Sequence, residues 1–139
     1  MKILITGVTG FVGGALMRYF SQKGHDVIGM GRNDSFKNEI EKYGNFIKQD
    51  LNKPLKTIEV DVCIHAAGIA SDQATFEELK EVNVLGTENV FKQVKCSNFI
   101  FISSSSVYNW DKESQVETDQ INPDKLSPYG KSKRLAELF

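Results

Sequence analysis

Cysteine is scarce in this chain of 139 residues, which holds only Cys63 and Cys96. Neither stands in a C-x-x-C pair, so zinc-binding and thioredoxin-type readings have no support. Each lies in or beside an apolar run, as a small buried hydrophobe does in a reducing compartment. Histidine is as scarce. His25 and His65 have nothing to pair with in a Ser-His-Asp set, and no metal-ligand cluster is visible. No stretch approaches the roughly 18 apolar residues of a membrane span. The opening MKILITG carries one lysine and too short an apolar run for a signal peptide. The cytoplasm is therefore the expected location. Neither sign of charge is in surplus: 17 basic and 18 acidic side chains leave a net charge of −1. That excludes a general electrostatic footprint for nucleic acid. The cations Lys131, Lys133 and Arg134 gather near the end and read as one solvated helix face. Internal repeats are missing, and the one low-complexity tract is the SSSS of 103–106.

What is present suits a single domain over 1–139, with 40% apolar and 25% charged residues. Short β-branched or apolar runs at 2–6, 26–30, 45–48, 61–67 and 98–103 read as five strands. Between them lie helical patterns over 11–23, 34–43 (capped by Asn33 or Asp34) and 74–95, entered near Gln73–Thr75. A last helix starts at Ser127, an N-cap, with Pro128 at the first helical position. The link from Asp50 to Glu59 carries the weakest pattern. Strands that are apolar on both faces and alternate with helices predict an α/β fold. Its parallel sheet is doubly wound in the Rossmann manner, with right-handed crossovers.

GVTGFVG (7–13) lies between the first strand and the first helix. Gly7 permits the tight turn off the strand. Gly10 lets a pyrophosphate approach the backbone, and Gly13, backed by Gly14, lets the helix pack against the sheet. The phosphates would face free N–H groups at the helix N-terminus. Two further features stand out. SSSSVY (103–108) follows the fifth strand, at the sheet edge where open α/β folds bind ligands. Tyr129 and Lys133, in YGKSK, share a helix face at i and i+4. A nearby ammonium favours phenolate and brings a tyrosine with a pKa of ~10 into range as a general acid/base.

These motifs, in this order and over the whole length, resemble the extended short-chain dehydrogenase/reductase superfamily, in its nucleotide-sugar epimerase/dehydratase branch. The resemblance implies an NAD(P)-dependent enzyme. Aligning VY on the family's Ser-x-x-Val-Tyr pattern puts the catalytic serine at Ser104, with Ser105 the near alternative. Tyr129 would be the proton carrier, and Lys133 would also bond the nicotinamide ribose. Cofactor contacts would come from Gly7, Gly10, Phe11, Val12 and Gly13, and from Asp50 and Leu51 beside the adenine. Ala66, Ala67 and Gly68 would supply the adenine-ribose side, with Asn83 in the long helix. His65 reads as a strand-end or core histidine. The family's NAD-selecting acid falls on Gly31, and Arg32 follows it. A guanidinium suits a 2′-phosphate, so NADP is expected over NAD, with Asp34 as a possible substitute acid. Tyr108 and Trp110 could line a substrate mouth.

The resemblance further implies a sugar-nucleotide substrate and a homodimer through the 74–95 and 127–139 helices. It also makes the chain an N-terminal portion, ending before the later strands and the substrate region, and able only to bind cofactor. Two other readings fit the motifs: an NADP-sensing module without turnover, and a carbonyl reductase acting on non-sugar substrates.

Overall fold

A computed structural model of the chain describes residues 1–71, 73–109, 114–118 and 120–139. The elements run in the order β1 (Lys2–Thr6), α1 (Phe11–Gln22), β2 (Asp26–Gly31), α2 (Lys37–Ile40), β3 (Asn45–Lys48), β4 (Ile58–Glu59) and β5 (Val62–His65). Next come α3 (Phe76–Leu79), a π-helical stretch (Lys80–Leu85), α4 (Gly86–Gln93), β6 (Val94–Lys95) and β7 (Asn98–Phe101). Two 3-10 turns, Ser105–Val107 and Pro123–Lys125, precede α5 (Pro128–Ala136).

β3, β2, β1, β5 and β7 form one five-stranded sheet in that order, all neighbours parallel. The five expected strands are thus the sheet. Alternation along each strand divides the core between its faces. Ile3, Ile5, Val27 and Ile64 pack with Met17 of α1 and Ile40 of α2. Leu4, Ile28, Met30 and Cys63 pack with Val90 of α4 on the other side. Each fully buried aliphatic side chain contributes about 1.5–3 kcal/mol, so a one-residue slip in register would expose a whole row. The chain crosses from β3 past β1 to reach β5. That reversal opens a crevice beyond the C-terminal ends of β1 and β5.

Three local expectations change. The helix read over 34–43 shrinks to Lys37–Ile40. Asn33 and Asp34 do not cap it: Asn33 Oδ1 accepts from Ser35 N, and the Asp34 carboxylate accepts from Lys48 Nζ at 3.0 Å. The long helix is entered through a capping box between Thr75 and Glu78, and its middle turn is π-helical. It stops at Gln93 because Val94 and Lys95 pair with Ile58 and Glu59 in a small parallel ladder. The weakly patterned link before residue 59 thus acquires a strand that only its distant partner makes visible. The fourth and fifth strands end at His65 and Phe101, two residues earlier than read.

Candidate active site

The glycine turn leaves β1 with Gly7 N–H donating to Met30 O at 2.8 Å. Gly7 has φ +73°, and a Cβ there would sit 2.8 Å from Ala67 Cα. A Cβ on Gly13 would lie 2.4 Å from Gly7 O. Glycine at both positions therefore lets three backbone segments approach to contact distance. Gly10 caps α1 with no side-chain acceptor, so the first-turn N–H groups remain open to an anion.

Segments far apart in sequence converge beside this turn. Of the expected cofactor residues, Gly7, Gly10, Arg32, Asp50, Leu51, Ala66, Ala67 and Gly68 line one cleft. Thr6, Thr9, Met30, Gly31, Gln49, Ile69 and Val82 complete it. Thr9 and Gly31 stood inside or beside the sequence motifs, whereas the others were missed because strand ends and a helix face carry no motif. The cradle fits a dinucleotide: a phosphate seat at a helix N-terminus, with small residues where backbones meet. Phe11 and Val12 sit on the first turn of α1 with exposed side chains, Phe11 at 94%. Neither they nor Gly13 lines the cleft. At the end of β2, a Cβ on Gly31 would crowd Thr9 Cγ2 at 3.0 Å and Phe46 Cε2 at 3.2 Å. Asp34 faces Lys48 at the surface, and that hydrogen bond holds its carboxyl below the usual value. Asp50 Oδ1 accepts from Asn52 N–H at 3.1 Å while lining the cleft.

Asn83 is 1% exposed and does not line the cleft. Its Oδ1 accepts from Ile69 N–H at 2.7 Å, and its Nδ2 donates to Ile69 O and Ser132 Oγ, both at 3.0 Å. It holds the cleft wall from behind. His65 is fully buried, and burial and the Lys133 charge push its pKa down to about 3. It is a core histidine. Cys63 is likewise buried, its thiol pushed up to about 12 by loss of solvent.

α5 docks against the serine run at two points. Ser127 caps the helix by accepting from Gly130 N–H at 3.0 Å, and a Cβ on Gly130 would lie 2.1 Å from Ser106 O. One turn on, Lys133 Nζ donates to Ile102 O at 2.7 Å and lies 4.0 Å from the centre of the Phe101 ring. Burial lowers the Lys133 pKa to about 8, with Glu137 pulling it back up. Ser104 Oγ accepts from Ser106 N–H at 3.1 Å, starting the 3-10 turn. Ser105 is exposed and Tyr129 half-buried. Ser103 instead donates to Glu137. Tyr108 closes the 3-10 turn, half-buried, while Trp110 lies outside the described residues. Among the described residues no three His, Cys, Asp or Glu side chains could hold a metal ion. No helix among them is long and apolar enough to cross a membrane.

The NAD-dependent epimerase/dehydratase family model matches residues 3–139. The chain belongs to this family. A UDP-glucuronate 4-epimerase of Thermodesulfobacterium geofontis is 28% identical, over 98% of this chain and 49% of its own length. A 2-alkyl-3-oxoalkanoate reductase of Stenotrophomonas maltophilia is 28% identical, over 99% of this chain and 44% of its own. Among solved structures, MoeE5 in complex with UDP-glucose and NAD superposes with a TM-score of 0.81. It is 28% identical, and the match covers 99% of this chain and 47% of that one. The chain thus spans about half the length of the relatives it matches. Within the epimerase/dehydratase family, then, these residues form a Rossmann-type parallel sheet with its flanking helices.

Proposed function

We propose that this chain is the cofactor-binding half of a nicotinamide-dependent enzyme that works on a sugar nucleotide by reversible hydride transfer. The supporting observation is the cleft: four separated segments, 6–10, 30–32, 49–51 and 66–69, meet around a helix N-terminus with open N–H groups. Phosphates would lie against Gly7–Gly13 and adenine beside Asp50 and Leu51. The dinucleotide, when bound, supplies a hydride acceptor and donor. The chain's part is to manage the proton. Tyr129 would take it from a substrate hydroxyl as the carbon is oxidised and return it on reduction. Lys133, a cation at neutral pH, would favour the phenolate. Ser104, anchored by the Ser106 amide, would orient the substrate oxygen. Substrate choice would rest with residues beyond these 139, which alone would bind cofactor without turnover. We place the protein in the cytoplasm, as a homodimer through the helical segments 74–95 and 127–139.

NADP is the favoured dinucleotide. Arg32 lines the cleft, Gly31 has little room for an acidic side chain, and Lys48 occupies Asp34. Titration of the purified chain with NADPH and NADH, followed by nicotinamide fluorescence, tests both levels. Tighter NADPH binding is expected. Tighter NADH binding would sink the NADP preference, and no binding of either would sink the cofactor reading. The similarity to the oxoalkanoate reductase supports a second reading, reduction of a non-sugar carbonyl. Assaying the whole protein on UDP-sugars against small ketones separates the two.

A further inference from the structure

Five buried polar residues are linked by hydrogen bonds through the middle of the molecule, the link at Asn83 passing from its main-chain carbonyl to its side-chain amide. Thr6, His65 and Ser132 are 0% exposed, and Asn83 and Thr87 are 1% exposed. Thr6 Oγ1 accepts from Ala67 N–H at 3.1 Å and lies 2.7 Å from His65 Nδ1. His65 Nε2 lies 2.9 Å from Thr87 Oγ1, which donates to Asn83 O at 2.6 Å. The Asn83 amide holds Ile69 and Ser132, and Ser132 Oγ donates to Tyr129 O at 2.8 Å.

The ends of this chain set its direction. Asn83 O can only accept, so the Thr87 proton points at it, and Thr87 Oγ1 must take a proton from His65 Nε2. At the other end Ala67 N–H can only donate. Thr6 accepts from it and gives its own proton to His65 Nδ1. The opposite tautomer would set the bare Nε2 against the Thr87 oxygen and leave the Thr6 proton without an acceptor. Each fault is costly where no water reaches. His65 is thereby confined to the neutral form protonated at Nε2.

The two amides caught by the chain, Ala67 and Ile69, belong to the cleft wall, and Ala67 is the residue on which Gly7 rests. We infer that Thr6, His65, Thr87, Asn83 and Ser132 act together as positioning residues. They hold the 67–69 wall against the glycine turn and tie it to the helix carrying Tyr129 and Lys133. Removing one link from the middle should therefore be felt at both ends. This role rests on the cofactor reading of the cleft, but the chain of bonds does not.

The test uses the 139-residue chain, without and with NADPH. Nitrogen-15 spectra of the wild type should show His65 as a single Nε2–H species from pH 5 to 9. A tautomer mixture, or titration in that range, would overturn the inference. Thr87→Val removes the hydroxyl at nearly constant volume. It should release the tautomer preference and speed amide exchange about fivefold at Ala67, at Ile69 and at Gly130 and Lys131 in α5. Thr87→Ser, which keeps the hydroxyl, should restore all three regions. Changes confined to the neighbours of residue 87, or no rescue by serine, would refute the coupling. If Thr87→Val does not fold, the wild-type tautomer and the serine variant decide. NADPH should bind Thr87→Val about fivefold more weakly; unchanged affinity would overturn the positioning role. A wild type that binds no dinucleotide, yet shows the single tautomer and coupled exchange, would remove the cofactor reading and leave the chain standing.

Discussion

Lys133 shows how one residue answers to two demands. The residue is 6% exposed, and among the described residues its ammonium touches a carbonyl and an aromatic face rather than a carboxylate. Loss of solvent brings its pKa from 10.5 down to about 8. The folded value lies below the unfolded one, so between them the unfolded chain holds the proton and the folded chain does not. Stability from this group therefore rises as pH climbs from about 8 to 10.5, and the burial penalty is present in full below that window. Wild type should gain on Lys133→Met over that interval in paired urea denaturations. A difference that does not vary with pH would show that the folded lysine titrates like a free one. At neutral pH the group is still a cation, as the proposed partnership with Tyr129 requires. That Tyr129 and Lys133 lie four apart on one helix was legible in sequence. The partners of Lys133 were not, since Phe101 and Ile102 come from the end of a distant strand and the residue after it.

The meeting of α5 with the serine run is decided at the scale of elements. By helix propensity, Gly130→Ala should stabilise α5 by about 1 kcal/mol. By packing it should do the opposite, because the new Cβ would lie 2.1 Å from Ser106 O, a backbone atom with little freedom to yield. Overpacking of this kind costs about 1–3 kcal/mol, so packing wins. Gly130→Ala is expected to lower the thermal midpoint and to move the Ser104 loop away from Tyr129. A more stable variant would show that the two elements do not touch there. The glycine was visible in YGKSK, but its purpose was not, because the obstructing carbonyl lies 24 residues upstream. The break in the long helix has the same origin. Its 3.6-residue pattern continues through 74–95, while the π turn at Lys80–Leu85, around Asn83, is a tertiary adjustment.

Over the whole molecule, apolar surface remains open where the proposed dimer would form. Leu85 is 49% exposed and Phe91 44% on the long helix, and Leu138 is 72% exposed just beyond α5. Sedimentation velocity should show concentration-dependent association, and Leu85→Lys with Leu138→Lys should shift it towards monomer. A wild type that stays monomeric at every concentration would refute the dimer. The topology itself was largely written in the sequence. Five apolar runs separated by helical patterns admit few arrangements other than a parallel, doubly wound sheet, and three glycines at fixed spacing mark its first turn. These are local signals, set by backbone sterics and by the period of burial. The β4–β6 ladder, the short α2, the inward turn of Asn83 and the chain through His65 could not be read that way. Each depends on which distant group supplies the missing hydrogen bond. A buried donor or acceptor must find a partner, and only the folded arrangement decides which one is within reach.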